Sequence, residues 1–284
     1  MPLTWLITGC STGLGYELAV YAARTGDTVI ATSRNPSKLS SLVCRGVITK
    51  ELDVSSQVKI QSLIDDILAS HGQIDILVNN AAYLLEGAIE ETSDEELLAQ
   101  FDVNVFSQIR MLQAVLPSMR ARRSGVIANI GSIGGWSGTP GAGFYCATKA
   151  AVGIYTEALK GELEPLGVKV TCIEPGYFRT NLLACGHKVS VANTIPELRE
   201  TTKAVRDVLG KISQKQPGDP VKGARVIYEA LTGTGSCLGR GLPARLPLGS
   251  DAIQIIGEDL ERERGVLEEW KGVVTGTDCD DVGI

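Results

Sequence analysis

An α/β fold is predicted, one doubly wound domain in which a parallel sheet of about seven strands is flanked by helices on both faces. Three observations predict it. Short runs rich in Val, Ile and Leu alternate with helix-length segments along residues 3–180. The runs are nearly continuous in apolar residues, as strands buried on both faces require. The first of them leads without a break into the glycine-rich stretch Thr8–Gly15, TGCSTGLG, and a helical stretch follows.

Taken in order, LTWLIT (3–8), DTVIATS (27–33), GVITKELDV (46–54), IDILVNN (74–80), GVIANIGS (125–132) and VKVTCIEP (168–175) read as strands, and about 13–25, 36–43, 55–70, 93–121 and 143–164 as helices. Strand–helix alternation of this kind implies right-handed crossovers. Pro117 should kink or end its helix locally, because it lacks an N–H and crowds the preceding turn. The acidic stretch EGAIEETSDEEL (86–97) reads as a solvated loop with a helix N-cap at Thr92 or Ser93. Residues 181–216 are polar and irregular with no strand signal, which suits a substrate-binding flap or an ordinary surface insertion. A helix at 219–232 follows, and then a glycine-rich turn, a short strand in ARLPLG (244–249) and an amphipathic helix at 250–271 form a C-terminal extension over 233–284, ending in a frayed tail at 275–284. One domain spans 1–284.

Composition excludes several roles. A net charge of −6 leaves no broad basic surface for nucleic acid. No apolar run reaches the roughly 20 residues of a membrane span. The opening MPLTWLITGC reads as a strand, without the charged n-region and long h-region of a signal peptide. Seven cysteines with no C-x-x-C spacing and two histidines point to reduced thiols, a cytoplasmic setting and no metal site. Cys146 reads as a space-filling thiol.

Three local patterns carry chemistry. Gly9, Gly13 and Gly15 let a backbone approach a pyrophosphate, whose charge the following helix N-terminus stabilises. At the end of the second strand stand Ser33 and Arg34 where a carboxylate would hold a ribose 2′-hydroxyl; a cation there suits the 2′-phosphate of NADP better than NAD, although Thr12 adds no second cation. Tyr145 and Lys149 lie four apart on one helical face, so the ammonium should favour the phenolate and lower a pKa that is ordinarily about 10.

These residues, together with Asp53 in LDV, Asn79–Ala82 (NNAA), Asn104 in FDVNV, Ser132 in NIGSIGG and Pro175–Thr180 (PGYFRT), stand in an order and spacing that resembles the short-chain dehydrogenase/reductase family, over about residues 3–180. The resemblance implies a Rossmann-type fold. It also implies roles. Tyr145 would be the proton donor or acceptor, Ser132 would hold the substrate oxygen, Lys149 would bind the nicotinamide ribose, and Asn104 would hold a water linking Lys149 to solvent. Gly9, Ser11, Thr12, Gly13, Leu14 and Gly15 would line the pyrophosphate, Ser33 and Arg34 the 2′-phosphate, Asp53 and Val54 the adenine, and Asn80, Ala81 and Ala82 the adenosine ribose. Pro175, Gly176, Phe178 and Thr180 would clasp the nicotinamide. Ala82 departs from the glycine usual in the family.

Tyr83, Leu84, Leu85, Trp136, Phe144, Tyr177, Leu182 and Leu183 suggest an apolar cleft. The expected function is NADP(H)-dependent reduction of a ketone on a hydrophobic small molecule, as in secondary metabolism. The alternatives are an NAD-dependent hydroxysteroid- or retinol-type alcohol dehydrogenase and a non-catalytic cofactor-binding sensor. The resemblance also implies a homodimer or homotetramer formed through the helices at 93–121 and 143–164.

Overall fold

The computed structural model describes residues 2–183, 188–212 and 215–279. Its strands are β1 (Thr4–Ile7), β2 (Thr28–Ser33), β3 (Ile48–Glu51), β4 (Ile76–Asn79), β5 (Leu84–Glu86), β6 (Gly125–Ile130), β7 (Val168–Pro175), β8 (Lys188–Ser190) and β9 (Arg245–Leu248). The helices are α1 (Gly13–Arg24), α2 (Ser40–Val43), α3 (Gln57–His71), α4 (Asp94–Phe101), α5 (Ser107–Arg122), α6 (Gly143–Leu163), α7 (Arg199–Ile212), α8 (Pro220–Thr232) and α9 (Ser250–Val274). Seven strands form a parallel sheet in the order β3-β2-β1-β4-β6-β7-β9.

Alternating residues along each strand bury opposite faces. Trp5, Ile7, Val29, Ala31, Ile76 and Val78 pack with Leu18 and Ala22 of α1 and Ile227 and Leu231 of α8. Leu6, Ile30, Leu77 and Ile127 pack on the other face with Ile60, Ile64 and Ile67 of α3 and Met111, Val115 and Met119 of α5. Each fully buried aliphatic side chain contributes about 1.5–3 kcal/mol. The central strands β1 and β4 are buried throughout. The edge strands β3 and β9 are only partly covered, so burial on both faces does not extend to them.

From β1 the chain steps outward to β2 and β3, then crosses back to place β4 on the other side of β1. The order therefore reverses between β1 and β4, and a crevice opens at their carboxyl ends, where α/β sheets bind ligands.

Four expectations need correction. The single helix over 93–121 is two helices, α4 and α5, joined by a π-helical turn at Asp102–Phe106. Helix α5 runs through Pro117 to Arg122, because the proline removes only one backbone bond and the flanking Leu116 and Met119 remain packed. The acidic stretch is not simply solvated, and residues 181–216 do contain a strand: β8 pairs in parallel with β5 as a second, two-stranded sheet. Three carboxylates bind this return segment. Buried Glu86 accepts from Lys188 Nζ (2.7 Å) and Ser190 Oγ (3.3 Å). Buried Glu91 accepts from the backbone of Ala88 (2.9 Å) and Ile195 (2.8 Å). Glu96 closes a capping box with Ser93 and also accepts from Ala192 N at 2.8 Å. Neither pattern was readable, because a three-residue strand with one charged end carries no periodicity. Helix α9 extends to Val274 and a 3₁₀ turn follows at Thr275–Thr277; residues 280–284 of the expected tail lie outside the described residues, as do Cys185 and His187. Among the described residues no helix is long and apolar enough to cross a membrane.

Glu91→Ala should leave two backbone N–H groups without their acceptor and cost about 2–4 kcal/mol. Hydrogen exchange at the Ala88 and Ile195 amides, measured beside the thermal midpoint, should show faster exchange at both positions; unchanged exchange would refute the clamp.

Candidate active site

The site begins where β1 ends. Thr8 Oγ1 accepts from the backbone N–H of Asn80 (3.0 Å) and Ala81 (3.1 Å), and Asn80 Nδ2 donates to the carbonyls of Thr8 (2.8 Å) and Gly9 (3.0 Å). These bonds draw the glycine loop against the end of β4. Glycine is needed at Gly9, which has φ +71 and where a Cβ would lie 2.8 Å from Ala81 Cα, while a Cβ on Gly15 would press on the Asn80 amide that ties the two strands. Helix α1 opens directly behind this loop with no side-chain cap and no acid in its first turn, which leaves its positive end aimed at the crevice.

Tyr145 and Lys149 sit on the first two turns of α6 and face the same cavity as Ser132, at the end of β6. Ser132 Oγ accepts from Gly134 N at 3.0 Å, and its hydroxyl shares the cavity with the Tyr145 phenol and favours the ionised form of that phenol. Lys149 Nζ donates to the Ile130 carbonyl at 2.7 Å and lies 5.8 Å from the centre of the Tyr145 ring. Tyr145 is 8% exposed and Lys149 2%. Burial pushes the Tyr145 phenol up to about 12, with the Ser132 hydroxyl opposing the rise. Burial likewise lowers Lys149 to about 8. The depressed phenol pKa expected from the i, i+4 spacing is therefore not found: desolvation dominates at Tyr145, and Lys149 is itself driven toward its neutral form.

Asn104 occupies the π-helical turn, a distortion that recurs at functional sites. Its Oδ1 accepts from Tyr83 N (3.0 Å), and its Nδ2 donates to Tyr83 O (3.0 Å) and Thr148 Oγ1 (3.2 Å). The fully buried side chain does not line the cavity, and braces α6 against the start of β5 instead of contacting Lys149.

The cavity has a volume of about 670 Å³. Of the residues expected from sequence, Gly9, Ser11, Thr12, Gly13, Leu14, Ser33, Arg34, Asp53, Val54, Asn80, Ala81, Ala82, Ser132, Tyr145, Lys149, Pro175, Gly176, Phe178 and Thr180 line it; Gly15 and Asn104 lie behind its wall. Of the apolar candidates, Tyr83, Leu84, Tyr177 and Leu182 line it. Leu85 is buried behind it, Phe144 is not among its lining, and Trp136 turns away to Glu174. The Leu183 side chain lies outside the described residues. Cys146 is buried and also contributes to the wall.

Sequence reading missed Lys38, Asn35, Ser137, Thr139, Gln216 and Ile255, all in the lining. Lys38 supplies the second cation beside Arg34 that no motif announced; the short helical turn Pro36–Leu39 returns it to the crevice. Asp53 is held below the usual carboxylate range by the Ser55 hydroxyl, then by its backbone N–H, with Arg34 adding a smaller electrostatic pull. A narrow glycine cradle at a helix N-terminus, continuous with a pair of cations and with Ser132 and the buried Tyr145, fits an anionic dinucleotide lying across the β1–β4 crevice.

A family model described as short chain dehydrogenase matches residues 4–188. Oxidoreductase BOA17 of Botryotinia fuckeliana is 32% identical over 275 residues, covering 95% of this chain and 97% of that protein. The 3-ketodihydrosphingosine reductase of Bacteroides thetaiotaomicron is 40% identical over 179 residues, covering 63% of this chain and 65% of that one. A short-chain dehydrogenase from Streptomyces avermitilis superposes with a TM-score of 0.88 at 39% identity, over 97% of this chain and 100% of that one. Neighbours with bound nucleotide include a gluconate 5-dehydrogenase from Burkholderia cenocepacia with NADP and tartrate (31% identity, TM-score 0.61, 64% of this chain and 74% of that one). A Burkholderia phymatum structure with NAD shares the fold at 22% identity (TM-score 0.78, 92% and 95%). The match over residues 4–188 and the superposition along nearly the whole chain agree with the motif order read at the crevice, and the chain belongs to the short-chain dehydrogenase/reductase family of oxidoreductases.

Proposed function

We propose that the chain is an NADP(H)-dependent carbonyl reductase acting on a ketone of a hydrophobic small molecule. The observation that carries the reading is the convergence of Ser132, Tyr145 and Lys149 on a cavity whose far end is lined by Arg34 and Lys38, with Ser33 standing where an NAD-specific site would place an acid. The 3-ketodihydrosphingosine reductase among the relatives supports the ketone, and the apolar lining from Leu84, Ile133, Tyr177, Leu182 and Ile255 supports its hydrophobic surroundings.

Gly9, Ser11, Thr12, Gly13 and Leu14 would hold the pyrophosphate, Ser33, Arg34 and Lys38 the 2′-phosphate, Asp53 and Val54 the adenine, and Asn80–Ala82 the adenosine ribose. Pro175, Gly176, Phe178 and Thr180 would border the nicotinamide. The bound nucleotide supplies the hydride. Everything else falls to side chains of this chain. Ser132 donates a hydrogen bond to the ketone oxygen and Tyr145 delivers a proton to it, so both act where negative charge grows during reaction. The phenol suits an acid: at about 12 it stays protonated through the neutral range. Its loss of a proton in a buried site then requires compensation, which the Lys149 ammonium provides as the nearest cation.

Purified protein titrated with NADPH should bind it more tightly than NADH. Arg34→Ala and Lys38→Ala should each weaken NADPH by about 10–100-fold while leaving NADH nearly unchanged. Tighter NADH binding in the wild type would turn the reading toward alcohol oxidation. Tyr145→Phe should lower kcat for ketone reduction by about 10²–10⁴-fold with NADPH affinity preserved. Undiminished turnover would remove the catalytic assignment. The pH profile has a defined sign. Lys149 is charged below about 8, so reduction should hold through neutral pH and decline as pH rises through 8, where the ammonium that compensates the phenolate is lost. A rate that climbs through that window would contradict the role.

A further inference from the structure

We infer that Trp136, Glu174 and Arg245 form a half-buried anchor, centred on the buried Glu174, that positions Ser132 for proton transfer, through a hydrogen bond and a stacked guanidinium that hold the turn carrying the serine. The inference rests on the reductase reading of Ser132.

The serine begins a single 3₁₀ turn, Ile133–Gly135, and Trp136 ends it. The start of the turn is held by β6. Its far end leaves the sheet; Ile133 packs on Ala252 and Ile256 of α9, and the indole of Trp136 adds a directed hydrogen bond. Trp136 Nε1 donates to Glu174 Oε2 at 2.9 Å. Glu174 is fully buried near the carboxyl end of β7, one residue before the Pro175–Gly176 segment of the cavity. Its other oxygen accepts from Arg245 Nε at 2.7 Å, at the start of β9. The Arg245 guanidinium then lies 3.8 Å over the Trp136 ring and pairs with Glu157 of α6 at 3.5 Å. Three groups thus close a ring, each touching the other two.

The arrangement is costly to bury, which argues that it does more than fill space. Burial raises the Glu174 carboxyl, and the Arg245 and Trp136 hydrogen bonds oppose that rise. An aliphatic core would serve stability as well. What an aliphatic core cannot do is fix one orientation of the turn. The turn also abuts the catalytic helix: a Cβ on Gly135 would lie 2.9 Å from the Lys149 carbonyl. Small rotations of Trp136 therefore change the separation of Ser132 and Tyr145, which face the same cavity. None of the three anchor residues lines the cavity, so they act through Ser132 as positioning residues.

The test uses Trp136→Phe, which keeps an aromatic ring beneath Arg245 while removing the Nε1 donor and part of the indole, with Ser132→Ala and the double variant. Ketone turnover with NADPH should fall about 10–100-fold in Trp136→Phe with KM and NADPH affinity unchanged, and the Trp136→Phe effect should vanish in the Ser132→Ala background. Hydrogen exchange at Gly134, whose amide donates to Ser132 Oγ, should accelerate about ten-fold or more in Trp136→Phe. Unchanged exchange at Gly134, or equal effects of Trp136→Phe with and without Ser132, overturns the anchor alone. If Ser132→Ala leaves turnover intact, the reductase assignment of Ser132 fails and the anchor's catalytic purpose fails with it, whatever the exchange shows.

Discussion

Thr8 and Asn80 tie the carboxyl ends of β1 and β4 together, and the rest of the site is arranged around that tie. One hydroxyl and one amide serve four backbone groups across the point where the strand order reverses. The glycine loop is thereby held close enough to Ala81 that Gly9 has no room for a side chain, and a Cβ on Gly15 would press on the Asn80 amide. Helix α1 begins there, and its positive end faces a crevice made by the topology of the sheet.

Desolvation governs the chemistry on the other side of that crevice. Tyr145 and Lys149 are buried side by side, so each moves toward its neutral form: the phenol keeps its proton and the ammonium becomes easier to lose. That suits a proton donor to a carbonyl better than a resting phenolate. Asn104 and Thr148 brace the same helix from behind, with Asn104 placed by a π-helical turn that an ordinary helix would not offer. Trp136, Glu174 and Arg245 restrain the opposing turn, so both partners of the Ser132–Tyr145 pair have their own support.

The three carboxylates at Glu86, Glu91 and Glu96 do comparable work at the rim. They accept from the side chains or backbone of Lys188, Ser190, Ala192 and Ile195, and so join the return segment to the body near Leu84, a residue of the cavity wall. An acidic stretch that would ordinarily face water is used here to satisfy backbone groups that no sheet ladder covers.

Strand–helix alternation, the glycine loop, the missing acid at Ser33–Arg34 and the Tyr145–Lys149 spacing were all legible in the chain, because each depends on residues near one another in sequence and on periods of two or 3.6. Ser132 and the Pro175–Thr180 segment were placed by resemblance, and the fold brought them to the same cavity. Tertiary structure alone decided the rest. Lys38 becomes a second cation only when its turn folds back; β5 and β8 exist only because segments about a hundred residues apart meet; Trp136 leaves the cavity because Glu174 is there to receive it. The direction of the Tyr145 shift belongs to the same class. Spacing shows that a cation is near, but burial, which only the packed fold determines, decides which effect is larger.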